Sequence, residues 1–229
     1  MLAWTIPAII GIIIWIYLSS KNRISNQTDL RSNRSSGKGI RKSPLAWQIA
    51  GFMGMQSFIF YVTISWLPEI LYSRGLSLDT AGWMLAFTQF IGVPINFIVP
   101  ILAGKMASQR SIAVALPFMT LCGYGGLLFS DSFAMMMFSI ILIGFGLAGT
   151  FSLALAFLAI RAKSPVQAAE LSGMAQSLGY IFAAIGPILI GYLFDFTKMW
   201  TVSLIAIIII SFLIMLFGLG AGRNKYVLD

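Results

Sequence analysis

From Gln89 to Gly104 the chain reads QFIGVPINFIVPILAG, and from Gln176 to Gly191 it reads QSLGYIFAAIGPILIG. The two stretches share Gln89 with Gln176, Gly92 with Gly179, Pro100-Ile101-Leu102 with Pro187-Ile188-Leu189, and Gly104 with Gly191. Neither holds a charged side chain, and each lies inside a longer apolar run. A run of that length reads as a helix buried in lipid, and the shared pattern reads as an internal repeat.

Seven runs have this character: Leu2–Leu18, Leu45–Leu71, Ala81–Ala103, Ile112–Phe129, Phe133–Ile160, Ala168–Phe194 and Met199–Leu219. A hydrocarbon core about 30 Å thick needs about 20 apolar residues per helix. Backbone groups in lipid must be satisfied within their own segment, so these are helices rather than strands. The composition agrees. Of 229 residues 59% are hydrophobic and 10% charged, against roughly a quarter charged in soluble domains.

The basic residues give the segments a direction. Lys21, Arg23, Arg31, Arg34, Lys38, Arg41 and Lys42 fill the first gap between runs. Lys105 and Arg110 fill the third gap, Arg161 and Lys163 the fifth, and Arg223 and Lys225 follow the last run. Only Arg74 and Lys198 fall in the other gaps. Cytoplasmic loops hold the excess of Lys and Arg, which predicts an N-terminus outside and a cytoplasmic C-terminus. The first run lacks a basic leading region and a small-residue cleavage site, so it reads as a span rather than a signal peptide.

The expected organisation is a first helix over 1–19, a basic cytoplasmic linker over 20–43 and a six-helix block over 44–229. The linker is rich in Ser, Asn, Lys, Arg and Gly, which cannot bury enough apolar surface to fold alone. Its cations also favour an anionic inner leaflet. Ser164-Pro165-Val166-Gln167 and Ser43-Pro44 carry helix-start chemistry, and Ser77 or Asp79 caps the third span.

Several function classes are excluded. The net charge of +8 is accounted for by the basic loops, so no nucleic-acid partner is implied. The chain has no His, and its one Cys, Cys122, lies in an apolar run. No metal site, cofactor or catalytic base is therefore expected, and the chain does not read as an enzyme.

The repeated helices cross the membrane in opposite directions on this topology. Three helices followed by three of inverted topology is a transporter architecture. Two blocks of residues carry a narrower resemblance. One runs Gly54-Met55-Gln56-Ser57, Tyr61, Trp66-Leu67-Pro68, Gly75-Leu76-Ser77 and Ala81-Gly82. The other runs Phe151-Ser152-Leu153-Ala154-Leu155, Arg161-Ala162, Ala168-Ala169-Glu170-Leu171-Ser172-Gly173-Met174-Ala175-Gln176, Gly179-Tyr180, Gly186-Pro187 and Gly191. In these the chain resembles the cyanate and 2-nitroimidazole transporter family of the major facilitator superfamily.

The resemblance implies twelve helices in two six-helix halves in a bacterial cytoplasmic membrane, with the solute at the midplane between the halves. This chain then supplies helices six to twelve, an all-α fold of one lone helix plus the C-terminal half-bundle. Its partners are a small solute, the lipid bilayer and either an absent N-terminal half or a second copy. The superfamily's loop signature, glycine followed by an Asp-Arg pair, survives only as Gly104, Lys105 and Arg110. A conformational latch at that loop is not expected.

Polar side chains inside a membrane helix tend to face protein or water. Ser57, Tyr61 and Ser65 recur every four residues beside Gln56, Gln89 and Asn96 share a face, and Ser172, Gln176 and Tyr180 form a third stripe. The resemblance places these spans, helices seven, eight and eleven, around the central cavity. Singly such residues serve as interhelical glue at about 0.6 kcal/mol per contact; as a set they favour a solute path. The candidates are Gln56, Ser57, Tyr61, Gln89, Asn96, Gln176 and Tyr180.

Gly144, Ala148, Ser152 and Ala156 make a small-residue seam for close packing or sliding. Gly179, Pro94, Pro100 and Pro187 are candidate flexing points. Glu69, near an outer helix end, is the candidate for proton coupling. Arg161 and Glu170 are candidates for a cytoplasmic gate, with helix capping as the alternative for Glu170. The leading reading is a secondary transporter of a small solute, represented by a partial chain, a split half or a misassigned start. The other is a transporter-derived membrane scaffold or regulatory subunit that carries nothing.

Overall fold

The computed structural model describes residues 5–22 and 39–228, and a helix forms in each of the seven predicted runs. The first, α1 (Thr5–Asn22), belongs to one compact unit. The second unit holds α2 (Pro44–Tyr72), α3 (Leu78–Lys105), α4 (Arg110–Phe129), α5 (Phe133–Ile160), α6 (Pro165–Thr197) and α7 (Trp200–Ala221). No strand occurs among the described residues. Each helix from α2 to α7 is long and apolar enough to cross a membrane.

Most helices extend one to three residues beyond the predicted runs, and two boundaries bear on the organisation of the chain. α1 runs past Leu18 to Asn22 because no Gly or Pro interrupts residues 19–22. At the far end of the predicted linker, Ile40–Lys42 form a 3-10 turn and Ile40 is buried in the bundle core. That apolar side chain recruits the last linker residues into the bundle. The rest of the linker, residues 23–38, lies outside the described residues.

The starts of the helices follow the capping chemistry. Ser164 Oγ accepts from the Gln167 amide at 3.3 Å, Pro165 occupies the first turn, and Gln167 Oε1 accepts from the Lys163 amide at 2.9 Å. Ser77, not Asp79, caps α3, accepting from the Thr80 amide at 3.2 Å.

Packing bears the signature of an inverted repeat. α2 packs mainly on α6 and α3 mainly on α5; α4 packs on α5 and α7 on α2. Exchanging the first three helices with the last three maps these pairs onto one another. The repeated sequence explains the close approaches. A methyl added at Gly92 of α3 would come within 3.0 Å of Ala148 on α5, and one at Gly179 of α6 within 3.3 Å of Ser57 on α2. The small-residue seam of α5 is thus a packing seam, where a methyl at Gly144 would lie 3.0 Å from the Thr88 backbone. The equivalence ends at the last glycine of the repeat. A methyl at Gly191 would meet the Trp66 ring at 2.7 Å, whereas at Gly104 it would meet nothing within 4 Å.

The charge pattern maps onto the two ends of the bundle. Arg74 pairs with Asp131, joining the α2–α3 and α4–α5 loops, and Lys198 lies 3.5 Å from Asp195 at the end of α6. The α3–α4 loop, the end of α5 and the C-terminal residues meet at the opposite end, where Gln109, Arg161 and Val227 are linked by hydrogen bonds.

Candidate functional site

A cavity of about 160 Å³ opens where α2, α5 and α6 meet. α2 contributes Met53, Gln56, Ser57, Phe60 and Tyr61; α5 contributes Phe151 and Leu155; α6 contributes Gln176, Gly179 and Tyr180. Five of the seven residues predicted to line a path therefore share one cavity. Gly179 makes room for it, because its bare backbone lets Ser57 approach without a side chain between them.

The cavity couples aromatic surface to amide groups. Phe60 and Phe151 stack across it with centroids 6.4 Å apart, and Phe60 meets Tyr61 edge-on at 5.6 Å. Gln176 donates to Ser172 Oγ at 2.6 Å, which fixes its amide along the α6 stripe. Gln56 differs. Its side chain is 1% exposed, its Oε1 accepts only from Ser57 Oγ at 3.5 Å, and its Nε2 has no partner. Tyr61 and Tyr180 are exposed at the rim. No carboxylate, Lys or Arg lines the space. Such a site can hold a small flat molecule by ring contact and hydrogen bonds.

Other predicted residues fall elsewhere. Gln89 and Asn96 lie on the exposed face of α3, outside this cavity, with the Gln89 amide donating to Thr88 Oγ1 at 3.3 Å. The α3 face that meets the bundle is the one bearing Thr88 and Gly92, so its polar stripe points away. Ser65 and Glu69 are exposed on the last turns of α2. Pro94 is exposed and Pro100 half-buried on α3, whereas the Pro187 carbonyl of α6 accepts from the Trp66 indole at 2.9 Å. A larger cavity of about 370 Å³ lies between the starts of α3 and α5, lined by Trp83, Met84, Phe87, Phe90, Phe133 and Met137, with Thr80 its sole polar side chain.

Of the two gate candidates, which the charge pattern would let pair through Arg161 or Lys163, Arg161 takes other partners among the described residues. Arg161 is 2% exposed and donates to Gln109 Oε1 and, at 3.2 Å, to the Ala221 carbonyl, with its guanidinium 5.7 Å from the Phe157 ring centre. Glu170 is exposed on α6. Burial lowers the affinity of Arg161 for its proton, and Tyr226 nearby raises it. The loop also carries more than its degenerate signature suggests. Gln109 is buried and donates to the Ala103 and Met106 carbonyls at 2.8 and 2.7 Å. Its backbone donates to the Gly222 carbonyl at 3.0 Å, while Val227 donates to the Arg161 carbonyl at 2.9 Å. A neutral amide stands at the centre of this lock. A search for charged partners passes over it.

Sequence reasoning also missed Phe60, Phe151, Leu155 and Met53. The signal was present: Phe151 lies seven residues after Gly144 and Leu155 seven after Ala148, so both sit beside the small-residue seam on the same side of α5.

Comparison with known proteins supplies the class. Residues 1–187 match the family model described as Major Facilitator Superfamily, and the chain belongs to that superfamily. It is 42% identical over 226 residues to the uncharacterized transporter YycB of Bacillus subtilis (strain 168), covering 99% of this chain and 55% of that one. It is 38% identical over 217 residues to the 2-nitroimidazole transporter of Escherichia coli (strain K12), covering 95% and 54%. The cyanate transport protein CynX of the same organism is 23% identical over 186 residues, covering 80% and 46%. The chain thus spans about half the length of these curated relatives. No solved structure matches it significantly.

Proposed function

We propose that the chain forms the C-terminal part of a secondary transporter carrying a small, uncharged or weakly polar solute across the bacterial cytoplasmic membrane. The carrying observation is the convergence of Gln56, Ser57, Tyr61, Gln176 and Tyr180 on one cavity between α2, α5 and α6. In this reading α1 is the sixth helix of twelve, residues 23–38 join the halves, and the loops bearing Lys105, Arg161 and Arg223 face the cytoplasm. The exposed aromatic faces of α3 and α6, with Trp83, Phe90 and Phe97 on one and Tyr180 and Tyr192 on the other, support docking of a second half. The names of two relatives supply probe solutes: 2-nitroimidazole, which fits an uncharged lining, and cyanate, an anion whose uptake would overturn the uncharged-solute part of the reading.

The test is uptake of labelled 2-nitroimidazole and cyanate by cells producing the chain alone, and by cells also producing the first half of the Bacillus subtilis relative. Uptake by the pair above either part supports a two-half transporter; uptake by the chain alone supports pairing with a second copy. Stable membrane insertion with no uptake of either probe in both arrangements counts against the reading and favours a scaffold.

A further inference from the structure

We propose that Gln56 is the residue that recognises the solute, its side-chain amide donating to a hydrogen-bond acceptor on a flat, uncharged molecule held against the Phe60–Phe151 wall. The inference rests on the transport reading and adds the residue and the chemical class. Three buried side-chain polar atoms lack a partner among the described residues: Gln56 Nε2, Arg74 Nε and Ser139 Oγ. Arg74 has its ion pair with Asp131, and Ser139 is pressed against Gly126. Of the three residues, only Gln56 lines either described cavity.

A buried amide N–H without an acceptor lowers stability, because it has given up water and received nothing in exchange. The cavity beside it has room for roughly five waters' worth of solute at about 30 Å³ each. Two further features narrow what fits. The lining contains no ionised side chain, so an ion entering it would be stripped of water without a counter-charge. Its walls are rings, and Phe60 and Phe151 lie within 16° of parallel, so a planar molecule makes the larger contact. An acceptor such as a nitro or carbonyl oxygen completes the Gln56 hydrogen bond. An analogue of the same shape without that acceptor leaves the donor orphaned and is rejected.

The test uses three proteins: wild type, Gln56→Leu and, as a control, Ser139→Ala, which removes the orphan atom of a residue that lines neither described cavity. Melting temperatures are measured in detergent without solute, and the KM for 2-nitroimidazole uptake is measured in cells carrying both halves. The expected result is that Gln56→Leu melts at or above the wild-type temperature while its KM rises about tenfold. Ser139→Ala should also melt no lower, with KM unchanged. A lower melting temperature for Gln56→Leu would show that the amide holds the bundle together, and an unchanged KM would show that it does not meet the solute; either overturns the proposal. Absence of wild-type uptake overturns the transport reading instead, and the melting comparison then still decides whether the amide is unsatisfied.

Discussion

Phe60 of α2 and Phe151 of α5 occupy equivalent places in the two halves of the repeat and stack on each other, their planes 16° from parallel. The equivalence follows from the close approaches. Gly92 meets Ala148 as Gly179 meets Ser57, so Ser57 corresponds to Ala148, and three residues further along each helix Phe60 corresponds to Phe151. Side chains related by a two-fold axis meet when they lie near that axis. This one stack therefore places the axis beside the cavity and explains why α5, read from sequence as a packing helix, also contributes to the lining.

Replacing either ring tests whether the pair is wall or core. Phe60→Ala and Phe151→Ala should each raise the KM for a flat solute several-fold while lowering the melting temperature only slightly, since Phe151 is substantially exposed. The pair beyond its buried area is worth about 0.5–1.5 kcal/mol. The double variant should accordingly fall short of the sum of the singles by about 1 kcal/mol in a thermal-denaturation cycle. Strict additivity would mean that the rings do not support each other.

The glycines of the repeat should separate into two behaviours. At Gly144 an added side chain meets the Thr88 backbone at 3.0 Å, and backbone cannot swing aside. Gly144→Leu should overpack the α3–α5 seam, cost about 1–3 kcal/mol and reduce membrane accumulation. At Gly179 the nearest atom is Ser57 Oγ at 3.3 Å and the cavity lies beside it. Gly179→Ala should be tolerated, whereas Gly179→Leu should fill the cavity and abolish uptake with near-normal insertion. Retained uptake by Gly179→Leu would place the solute path elsewhere.

Helix number and approximate span were legible because lipid imposes one rule on every segment, and the rule acts on composition. The repeat was legible for a related reason: glycines at close approaches cannot drift without separating the helices. What stayed hidden depends on which face of a helix meets its neighbour. Gln89 and Gln176 hold equivalent places in the repeat, yet Gln176 lines the cavity and Gln89 looks outward from α3. Thr63 and Tyr124, paired at 2.6 Å in the core, carried no signal in either run alone because the contact joins α2 to α4 across 61 positions. Gln109 was hidden differently, since its partners lie on α5 and beyond α7, and its role is visible only once those ends converge.

At the opposite end of the bundle from Arg161, the Arg74–Asp131 pair should be lopsided. Asp131 is 75% exposed and Arg74 14% exposed by side chain. Asp131→Asn leaves a largely buried guanidinium short of its counter-charge, whereas a carboxylate without Arg74 is hydrated. Melting temperatures should therefore fall further for Asp131→Asn than for Arg74→Met, a methionine that keeps the packing of the stem. The pair is half solvated, so both losses should stay near or below about 1 kcal/mol and shrink in high salt.

The end of the bundle that holds Arg161 offers the sharpest test, because two arrangements of this residue predict opposite results. Paired with Glu170, the guanidinium would lose its partner in Glu170→Gln. Bonded to Gln109 and the Ala221 carbonyl as observed, it should be indifferent to that change, with a shift within about 0.5 kcal/mol. Gln109→Leu should instead cost about 1.5–3 kcal/mol for the charge-assisted bond, and more for the two loop carbonyls it leaves unpaired. Arg161→Met removes the buried charge together with its need for acceptors. In the double variant no charge remains to be orphaned, so Gln109→Leu with Arg161→Met should be less damaging than the sum of the two. The readout is thermal denaturation of the purified protein across the four members of the cycle, with Glu170→Gln as a fifth. Additive losses at Gln109 and Arg161, or a large loss at Glu170, would show that the guanidinium is held by another partner.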